Sequence, residues 1–558
     1  MTKKELKKEI QSGLNDLFEL SLELEEIDLE IPAQDDHGDY ASNIAFRVAG
    51  KLKEDPTNIA EKLAEKIKND FFEVSAKKGF VNFKFTDKAL NLLMKKTLKF
   101  KRENSNKTMV LDYSAPNIAK PFGIGHLRST IVGQAIYNIY DFSGWQCEGV
   151  NHLGDWGTQY GKLLYKIIEE DLNPDNLSVS DLEKLYIQFH EEAEENSEME
   201  DEARKWFKRL EDGDERARKI WKKCVEVSME EFNKTYDLLG IDIDHCIGES
   251  FYEDKMEEVI EEAKEKKVAK KSKGAWIVDF GDRMPPAMLL KSDGGTTYFT
   301  RDLATVNYRI KRWDPDLFIY EIGADQKLHL RQLFETVEML GWKSKDKFMH
   351  VAHGMYRLKD GAMSTRKGKT VHLEDVLEEA IERAEKIIDK SEIVDEMTKK
   401  EKRDTAEKVG VGAVKYADLK KHYKKDIVFD WEKVLNLKGN SGPYLQYTTL
   451  RAKSVLDKSE ESFDLEVYDL SKQERIIVKK IIEFDDMVDI ARRNFTPSTI
   501  ANYAYDLAKE FNRFYSEHSI LNAKNKKLKR QRITITEAGY KVLEKSLSLL
   551  GISLPERM

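Results

Sequence analysis

The sequence predicts a multidomain α/β protein in which a doubly wound parallel sheet stands, along the chain, between an N-terminal α+β unit and a C-terminal helical unit. Three observations support this prediction. Short apolar runs typical of buried parallel strands recur between residues 108 and 323, and the first is followed by a glycine-containing turn and a long helical pattern. The first hundred residues mix helical patterns with an alternating strand. After about residue 373 almost every pattern is helical.

Length and composition exclude several classes of protein. The chain has 558 residues, enough for roughly three or four domains. It holds no apolar run near the roughly 18 to 20 residues that cross a membrane, and its lysine-rich start lacks the apolar core of a signal peptide. Its three cysteines lie far apart, which argues against a zinc knuckle or a disulfide framework. We therefore expect a cytoplasmic protein with no membrane contact and no bound zinc.

Charge is distributed unevenly along the chain, whose net charge is −9. The run EEAEENSEMEDE (191–202) holds eight acidic residues and no basic one, as in a solvated helix face or a mobile insertion. The run KNKKLKRQR (524–532) instead has six basic residues in nine. A basic run on an acidic protein is a candidate phosphate contact, carried by Lys526, Lys527, Lys529 and Arg530. A solvated loop is the alternative.

Residues 1–105 are predicted to form the N-terminal α+β unit. Leu6, Ile10 and Leu14 share one helical face, and further helices are expected after Asp39 and after the Asp55-Pro56 pair. GFVNFKF (79–85) alternates like a half-buried strand, and KFKRENSNK (99–107) is polar and aperiodic, as in a linker.

Residues 106–372 are predicted to form the sheet domain. A long helix is expected from about Leu127 to Tyr140, and the charged helices around 160–265 look like an insertion. The Asp-Gly-Gly in AMLLKSDGGTTYFT (287–300) predicts a hairpin. Strand patterns occur at TMVLDYS (108–114), CEGVNHLGDWG (147–157), AWIVDF (275–280) and LFIYEIG (317–323).

Residues 373–558 are predicted to be all-α. In the segment 496–515, Thr496 is a suitable cap and Pro497 suits the first helical position. The apolar stripe that follows, from Ile500 to Tyr515, is typical of a bundle core.

The stretch KPFGIGH (120–126) is a glycine-containing turn that opens a helix. A helix N-terminus offers free N–H groups and the positive end of its dipole to a phosphate. Gly123 and Gly125 leave room for a base or ribose against the backbone. His126 can donate hydrogen bonds to phosphate oxygens, and Lys120 adds a cation. By itself such a stretch also fits an ordinary tight turn.

A second cationic segment, KDGAMSTRKGKTVHLED (359–375), precedes a predicted helix. It carries Arg366 and Lys367 next to the hydroxyl of Ser364. Flexible cations of this kind stabilise the charge on a departing pyrophosphate. A solvated basic loop is the alternative.

Together these two motifs resemble class I aminoacyl-tRNA synthetases, in which GIGH stands at the HIGH element and MSTRK at KMSKS. The resemblance narrows to arginyl-tRNA synthetases through further segments in that family's order, which span residues 114 to 558; HGDYASNIAF (37–46) is similar to the family's N-terminal domain. These segments are SAPNIAKPFGIGHLRSTIVG, NHLGDWGTQYG, TTYFTRDLA, YEIGADQKLHLRQL, GAVKYADL, GNSGPYLQYTTLRA and LLGISLPERM.

The resemblance implies a Rossmann-type catalytic domain, an N-terminal domain that touches the tRNA body and a C-terminal helical anticodon-binding domain. It also implies a reaction in which ATP and L-arginine give arginyl-adenylate and pyrophosphate, and the arginyl group then passes to the 3′ end of tRNA(Arg). Mg²⁺ would accompany ATP, which is a substrate. Members of this family are typically monomers that need bound tRNA before they activate arginine, and we expect the same of this protein.

The resemblance also implies which residues would form the site. Asp302 and Glu249 would accept hydrogen bonds from the planar guanidinium of arginine. The remaining arginine-binding candidates are Asn117, His152, Tyr298 and Gln326. The ATP-binding candidates are Gly123, Gly125, His126, His353, Gly354, Met355, Met363 and Ser364, with Met355 making a backbone contact. The catalytic candidates are Lys120, His126, Arg366 and Lys367.

Several of these residues have a structural alternative. Asp302 could pair with Arg301 or cap a helix, Glu249 lies in a weaker local motif, and His152 could be a core histidine. Thr365 stands where KMSKS usually has its second lysine, and Lys120 matches a family position thought to supply the missing charge.

Two other functions compete with the main interpretation. One is another class I synthetase, such as a cysteinyl or lysyl enzyme, although the absence of clustered cysteine and histidine ligands argues against the zinc-dependent cysteinyl type. The other is a catalytically silent tRNA-binding paralogue, because Gly123 stands where the family more often has the first histidine of HIGH.

Overall fold

The computed structural model describes residues 3–30, 32, 37–68, 70–100, 102–358, 361–362, 372–390, 397–428, 430, 434–459 and 466–558. The chain forms two compact units. The first comprises residues 1–100, 451–486 and 506–543, and the second comprises residues 101–450, 487–505 and 544–558.

A five-stranded parallel sheet forms the centre of the second unit. The chain places its second and third strands on one side of the first strand, and its fourth and fifth strands on the other side. A switch point therefore lies between the first and fourth strands, where doubly wound sheets bind ligands beyond the carboxyl ends of the strands. In spatial order the strands are Phe348–His353, Leu317–Gly323, Thr108–Asp112, Gln146–Asn151 and His245–Cys246. This arrangement confirms the predicted fold class.

Apolar side chains from the sheet and its covering helices form one core. Val110, Val150 and Phe318 on the strands belong to one buried cluster with Leu303 and Leu333 on helices. The covering helices include Ile124–Phe142, Tyr298–Trp313 and Lys327–Met339. These helices fix the loops that leave the carboxyl ends of the strands.

Helices fill the predicted insertion as far as Leu239, and a small antiparallel sheet follows residue 265. The predicted extent of the insertion, around 160–265, is wrong in one respect, because it includes the strand His245–Cys246 of the central sheet. The insertion helices are Thr158–Glu169, Val179–Glu195, Glu198–Glu211 and Glu215–Leu239. After the helix Met256–Glu265, the strands Ala269–Ser272, Ala275–Val278 and Ala287–Leu290 form the small sheet.

The turn of the hairpin predicted at residues 287–300 forms, since the Lys291 N–H donates to the Gly295 oxygen (2.9 Å), but the predicted second strand is wrong. Beyond the turn only an isolated bridge joins Leu290 to Thr296, and a helix begins at Tyr298. The reason is that the Asp-Gly-Gly turn is followed at once by a helix, so Phe299 and Thr300 are buried on a helix instead of a second strand.

Later segments of the chain are mainly helical, as predicted. Ile427–Val428 pairs with Tyr356–Leu358, which also pairs with Gly361–Ala362. Pro497 opens the helix Pro497–Glu517, directly after Thr496. The remaining helices from residue 373 onward are Leu373–Ile388, Lys399–Leu419, Gly442–Asp457, Lys472–Ile482, Phe484–Asn494 and Lys526–Leu549. None of the helices in the described part of the chain is both long and apolar enough to cross a membrane.

The first unit joins the N-terminal segment to part of these helices. The carboxylate of Asp39 accepts a hydrogen bond from the Phe85 N–H (2.7 Å) and pairs with Arg475 and Lys479 at 2.7 and 2.8 Å. The grouping differs from the boundaries 1–105, 106–372 and 373–558, which stay a prediction. Elements of the N-terminal segment are the helices Lys3–Phe18, Ile44–Leu52, Pro56–Lys66 and Asp87–Thr97 and the strands Tyr40–Ser42, Phe72–Lys77 and Phe80–Phe85.

The insertion depends on a close approach at Gly161. A Cβ there would lie 2.1 Å from the Ala203 carbonyl oxygen, so backbone would have to move. We expect Gly161→Ala to lower the free energy of unfolding by about 1 to 3 kcal/mol. Gly50→Ala is the matched control, because a Cβ at this other helical glycine meets nothing within 4 Å. Thermal unfolding measures both, and equal melting temperatures would contradict the close packing.

Candidate active site

The loop that leaves the first strand has an unusual backbone conformation. Ser114, Ala115 and Ala119 have φ angles of 72°, 48° and 62°. Non-glycine residues rarely adopt this left-handed region, and such outliers cluster at functional sites. Hydrogen bonds hold the loop: the N–H groups of Ser114, Ala115 and Ala119 donate to side-chain oxygens of Ser129, Asn151 and Ser228. The conformation is therefore imposed by the surrounding fold.

This loop pairs with the loop that leaves the second strand. The Ile118 N–H donates to the Gly154 oxygen (3.2 Å), and the Gly154 N–H donates to the Pro116 oxygen (3.1 Å). A Cβ at Gly154 would lie 2.3 Å from Oδ1 of Asn117, so a side chain at residue 154 would displace Asn117. The pairing brings Asn117 to the same edge of the sheet as His152.

The GIGH turn opens the helix Ile124–Phe142. Gly123 is its N-cap and has no side chain to bond the first-turn N–H groups, and Gly125 is exposed with open space around its Cβ position. The His126 ring packs edge-on against Phe122, with ring centroids 5.3 Å apart, and its buried Nδ1 has no hydrogen-bond partner in the structure. Burial lowers the pKa of His126, so the ring is a neutral donor near pH 7.

The end of the second cationic segment returns to this turn. The Leu373 N–H donates to the Phe122 oxygen (2.8 Å), and His372 forms a bridge with Gly123. Met363, Ser364, Arg366 and Lys367 lie outside the described residues. The second cationic segment therefore contacts the GIGH turn through His372 and Leu373.

Lys120 packs against the helical insertion. Its Nζ lies 4.8 Å from the centre of the Tyr186 ring, on the helix Val179–Glu195. Burial lowers the pKa of Lys120, and the carboxylate of Glu183 partly offsets this effect. The aromatic face and the carboxylate favour the charged form of Lys120, against the effect of burial.

His353, at the end of the fifth strand, is held by a buried carboxyl. Its Nδ1 lies 3.0 Å from Oε1 of Glu321, whose side chain is fully buried. Burial opposes protonation of His353, but the Glu321 carboxyl outweighs it and raises the pKa of His353. The next residues are Gly354, which is buried, and Met355, whose side chain is exposed. His353 and His126 are electrostatic neighbours.

An acidic cluster surrounds Arg301 beside the switch point. The Arg301 guanidinium pairs with Glu249 (3.1 Å) and Glu253 (2.8 Å). Asp302 instead contacts Nε2 of His329 at 2.5 Å, so the alternative in which Asp302 pairs with Arg301 is wrong. Burial raises the pKa of Glu249 to about 7, Asp302 adds to this effect, and Arg301 opposes it. The cluster has more carboxyl groups than cations, which suits a cationic ligand.

His152 and Asp155 complete this cluster from the second loop. Burial lowers the pKa of His152, and Asp302 and Asp155 are among its electrostatic neighbours. The carboxylate of Asp155 accepts hydrogen bonds from the N–H and Oγ of Ser250 (2.8 and 2.6 Å), next to Glu249. The Nδ1 of His152 is buried without a partner in the structure.

Tyr298 and Gln326 lie at the exposed rim. Tyr298 is 63% exposed, and its hydroxyl lies 3.3 Å from the Cβ position of Gly157. Gln326 is exposed, and its Nε2 donates to Asp325. Both side chains can rotate toward a ligand without loss of core packing.

The sequence patterns did not identify Arg301, His329, Glu321 and Asp155 as parts of the site. Arg301 stands next to Asp302 in TYFTRDLA and His329 three residues after Gln326 in ADQKLHL, so both occur in motifs already singled out. Their partners, however, lie 27 to 52 residues away along the chain. Local spacing contains no signal for such pairs.

The predicted tRNA-contact residues begin a helix in the first unit. Lys526 is the first residue of Lys526–Leu549, and Oδ1 of Asn525 accepts a hydrogen bond from the Leu528 N–H (2.8 Å). Lys527 lies over the Tyr468 ring at 4.8 Å. Lys526, Lys527 and Arg530 are exposed, whereas Lys529 is half-buried.

No group of three or more metal-ligating side chains occurs within the described ranges.

The sheet order and the GIGH turn beside its switch point define the catalytic fold of a class I aminoacyl-tRNA synthetase. The family described as tRNA synthetases class I (R), catalytic domain, matches residues 88–431. The DALR anticodon binding domain matches residues 445–558, and the arginyl tRNA synthetase N terminal domain matches residues 4–85.

Full-length relatives narrow the class to one family. An arginine–tRNA ligase of Clostridium botulinum (strain Loch Maree / Type A3) is 42% identical over 97% of each chain, and one of Halothermothrix orenii is 43% identical over 98% of each. A solved arginyl-tRNA synthetase from Plasmodium falciparum superimposes with a TM-score of 0.85 at 26% identity, covering 100% of this chain and 99% of that one. The chain belongs to the arginyl-tRNA synthetase family.

The raised pKa of Glu249 makes stability depend on pH. The folded protein binds the Glu249 proton more tightly than the unfolded chain does. This proton therefore contributes to the free energy of unfolding below about pH 4.5, and the contribution is lost as pH rises toward 7. Relative to Glu249→Gln, the wild type should lose roughly 2 kcal/mol of unfolding free energy between pH 5 and pH 8.

Melting temperatures at pH 5, 6, 7 and 8 measure this difference. Glu335→Gln is the control. Arg283 and Lys345 outweigh burial and lower the pKa of Glu335, so the difference in melting temperature between this variant and wild type should stay constant from pH 5 to pH 8. A constant offset for Glu249→Gln as well would mean that Glu249 is ionised throughout.

Proposed function

We propose that the protein is an arginine–tRNA ligase, which activates L-arginine with ATP and transfers it to the 3′ end of tRNA(Arg). The observation that carries this proposal is the acidic cluster of Glu249 and Asp302, which has His152 as an electrostatic neighbour. The loop that holds His152 pairs through Gly154 with the loop that leads into the GIGH turn. A guanidinium bound at the cluster would therefore lie at the same edge of the sheet as the helix N-terminus that is proposed to receive phosphate.

Activation breaks the bond between the α- and β-phosphates as the arginine carboxylate attacks. This chemistry needs positioning and electrostatic stabilisation, without a covalent enzyme intermediate. We propose that His126 donates to the phosphates, and that Lys120, Arg366 and Lys367 stabilise the departing pyrophosphate. The buried, neutral ring of His126, which has an unpartnered Nδ1, supports its role.

Arginine recognition is proposed to use the acidic cluster. Asp302 and Glu249 would accept the planar guanidinium, which favours paired bonds to carboxylates. Arg301 holds Glu249 in place, and His329 holds Asp302. Tyr298 and His152 would line the side chain, and Asn117 and Gln326 would hold the polar end of the amino acid.

ATP is proposed to lie between the GIGH turn and the end of the fifth strand. Gly123 and Gly125 would face its phosphates and ribose, whereas His353, Gly354 and Met355 would line the adenine. Met363 and Ser364, which lie outside the described residues, would also bind ATP. We propose that ATP binds as its Mg²⁺ complex, whose cation neutralises phosphate charge.

tRNA is proposed to contact both ends of the chain. Residues 373–558 would read the anticodon and residues 1–105 would touch the tRNA body, with residues 106–372 as catalytic domain. Lys526, Lys527, Lys529 and Arg530 would contact phosphates. Because charging serves translation, we place the enzyme in the cytoplasm, and we propose that it acts as a monomer.

Pyrophosphate exchange tests the proposal. The purified protein is assayed with each of the twenty amino acids, with and without tRNA, and arginine alone should support exchange. Exchange with cysteine or lysine would identify another class I synthetase. No exchange and no charging, combined with retained tRNA binding, would identify a silent paralogue.

His126→Ala should reduce the activation rate because one electrostatic donor to the transition state is lost. Such losses amount to about 3 kcal/mol, or on the order of a hundredfold in rate. His126→Gln retains a neutral N–H donor and should recover part of the rate. Single-turnover formation of arginyl-adenylate measures both variants, and near-normal turnover of His126→Ala would remove His126 from the mechanism.

A further inference from the structure

Residues 418–427, which begin in the last turn of the helix Lys399–Leu419, hold the segment that follows the fifth strand. The Gly354 N–H donates to the Tyr423 oxygen, the Met355 N–H to Oδ1 of Asp426, and the Ile427 N–H to the Met355 oxygen, each at 2.9 Å. We call residues 418–427 the clasp. Three hydrogen bonds in sequence thus hold the three successive peptide groups that follow the Cα of His353.

The fit between the clasp and this segment leaves no spare space. A Cβ at Gly354 would lie 2.7 Å from Oδ1 of Asp426 and 2.9 Å from the Lys425 carbonyl carbon. Immediately beyond, Tyr356 pairs in parallel with Ile427. The segment cannot shift by even the size of a methyl group without moving the clasp.

The clasp also holds the GIGH helix through Arg128. This guanidinium is fully buried, lies 3.3 Å from Oδ1 of Asp418 and donates to the Lys425 oxygen at 2.5 Å. The Tyr356 hydroxyl donates to the other oxygen of Asp418, also at 2.5 Å. One set of buried bonds therefore joins the helix of His126 to the segment of His353.

The backbone of Met355 keeps one hydrogen-bonding site available for a ligand. Its N–H is engaged by Asp426, whereas its carbonyl oxygen accepts one hydrogen bond and retains a second lone pair. That lone pair is suited to the exocyclic amine of an adenine. The predicted backbone contact of Met355 would then be made by its carbonyl group.

We infer that Asp426 is a positioning residue for the adenine of ATP: its carboxylate holds the Met355 N–H, the neighbouring Ile427 N–H holds the Met355 carbonyl, and Arg128 ties this segment to the GIGH helix. This inference rests on the proposed function, in which His353, Gly354 and Met355 line the adenine. Asp426 itself needs no contact with the nucleotide.

Asp426→Ala tests the inference through a selective effect on ATP. Loss of a bond to a charged acceptor should raise the KM for ATP about tenfold, with the KM for arginine and kcat changed less than about twofold. Asp426→Asn keeps an acceptor for the Met355 N–H and should stay within about threefold of wild type. An unchanged KM for ATP, or equal rises in both KM values, would overturn the inference.

Binding of ATP alone separates this inference from the proposed function. ATP should raise the melting temperature of the wild type, and the same shift in Asp426→Ala should require about tenfold more ATP. If the wild type binds ATP but does not charge arginine, the proposed function fails while this comparison still decides the role of Asp426. If Asp426→Ala does not fold, the variant Arg128→Lys serves as the test. A lysine side chain cannot contact both the Asp418 carboxylate and the Lys425 carbonyl oxygen, so the KM for ATP should rise. An unchanged KM for ATP would overturn the inference.

Discussion

The site depends on a buried ion pair between a strand of the sheet and a helix, formed by Asp112 and Arg309. The two side chains are 2.7 Å apart and almost completely buried. Removing one partner of such a pair leaves an uncompensated charge and costs about 3 to 5 kcal/mol, so the pair fixes its two elements firmly against each other. Asp112 ends the first strand, and Arg309 lies on the helix that begins at Tyr298. The pair thus sets the position of Asp302 relative to the switch point.

The same helix explains the electrostatics of the acidic cluster. Arg301 neutralises part of the charge of Glu249 and Glu253, and His329 is hydrogen-bonded to Asp302, whose carboxylate raises the pKa of His329 despite burial. Asp155 stands nearby with a pKa raised by burial. With its pKa raised to about 7, Glu249 is partly protonated near neutral pH. An incoming guanidinium would favour ionisation of Glu249, so binding of the cation and loss of a proton are coupled.

The sequence predicted the parallel sheet, the GIGH helix and the helical character after residue 373, because each depends on local patterns of apolar residues and caps. It failed where long-range contacts decide. Whether residues 296–300 form a strand depends on the helix that begins at Tyr298. Asp426 lies 71 residues from Met355, and Arg128 lies 297 residues from Lys425, so their contacts have no signature in local spacing. Asp39 and Arg475, which form an ion pair, are likewise far apart along the chain.

Gly123 acquires a physical meaning from its place in the fold. Its φ of −78° and ψ of 155° are accessible to any residue, so the backbone does not require glycine there. What glycine provides is an N-cap without a side chain. Serine, threonine or aspartate at this position would accept a hydrogen bond from a first-turn N–H group and compete with a phosphate for it. With Gly123 no cap side chain competes for the N–H groups of that turn, of which the His126 N–H donates to the Gly123 oxygen (2.9 Å). His126 and Lys120 are the donor side chains that we propose for the phosphates. A phosphate site can therefore work without the first histidine of HIGH. In such a site the backbone N–H groups and these two residues would supply more of the electrostatic stabilisation.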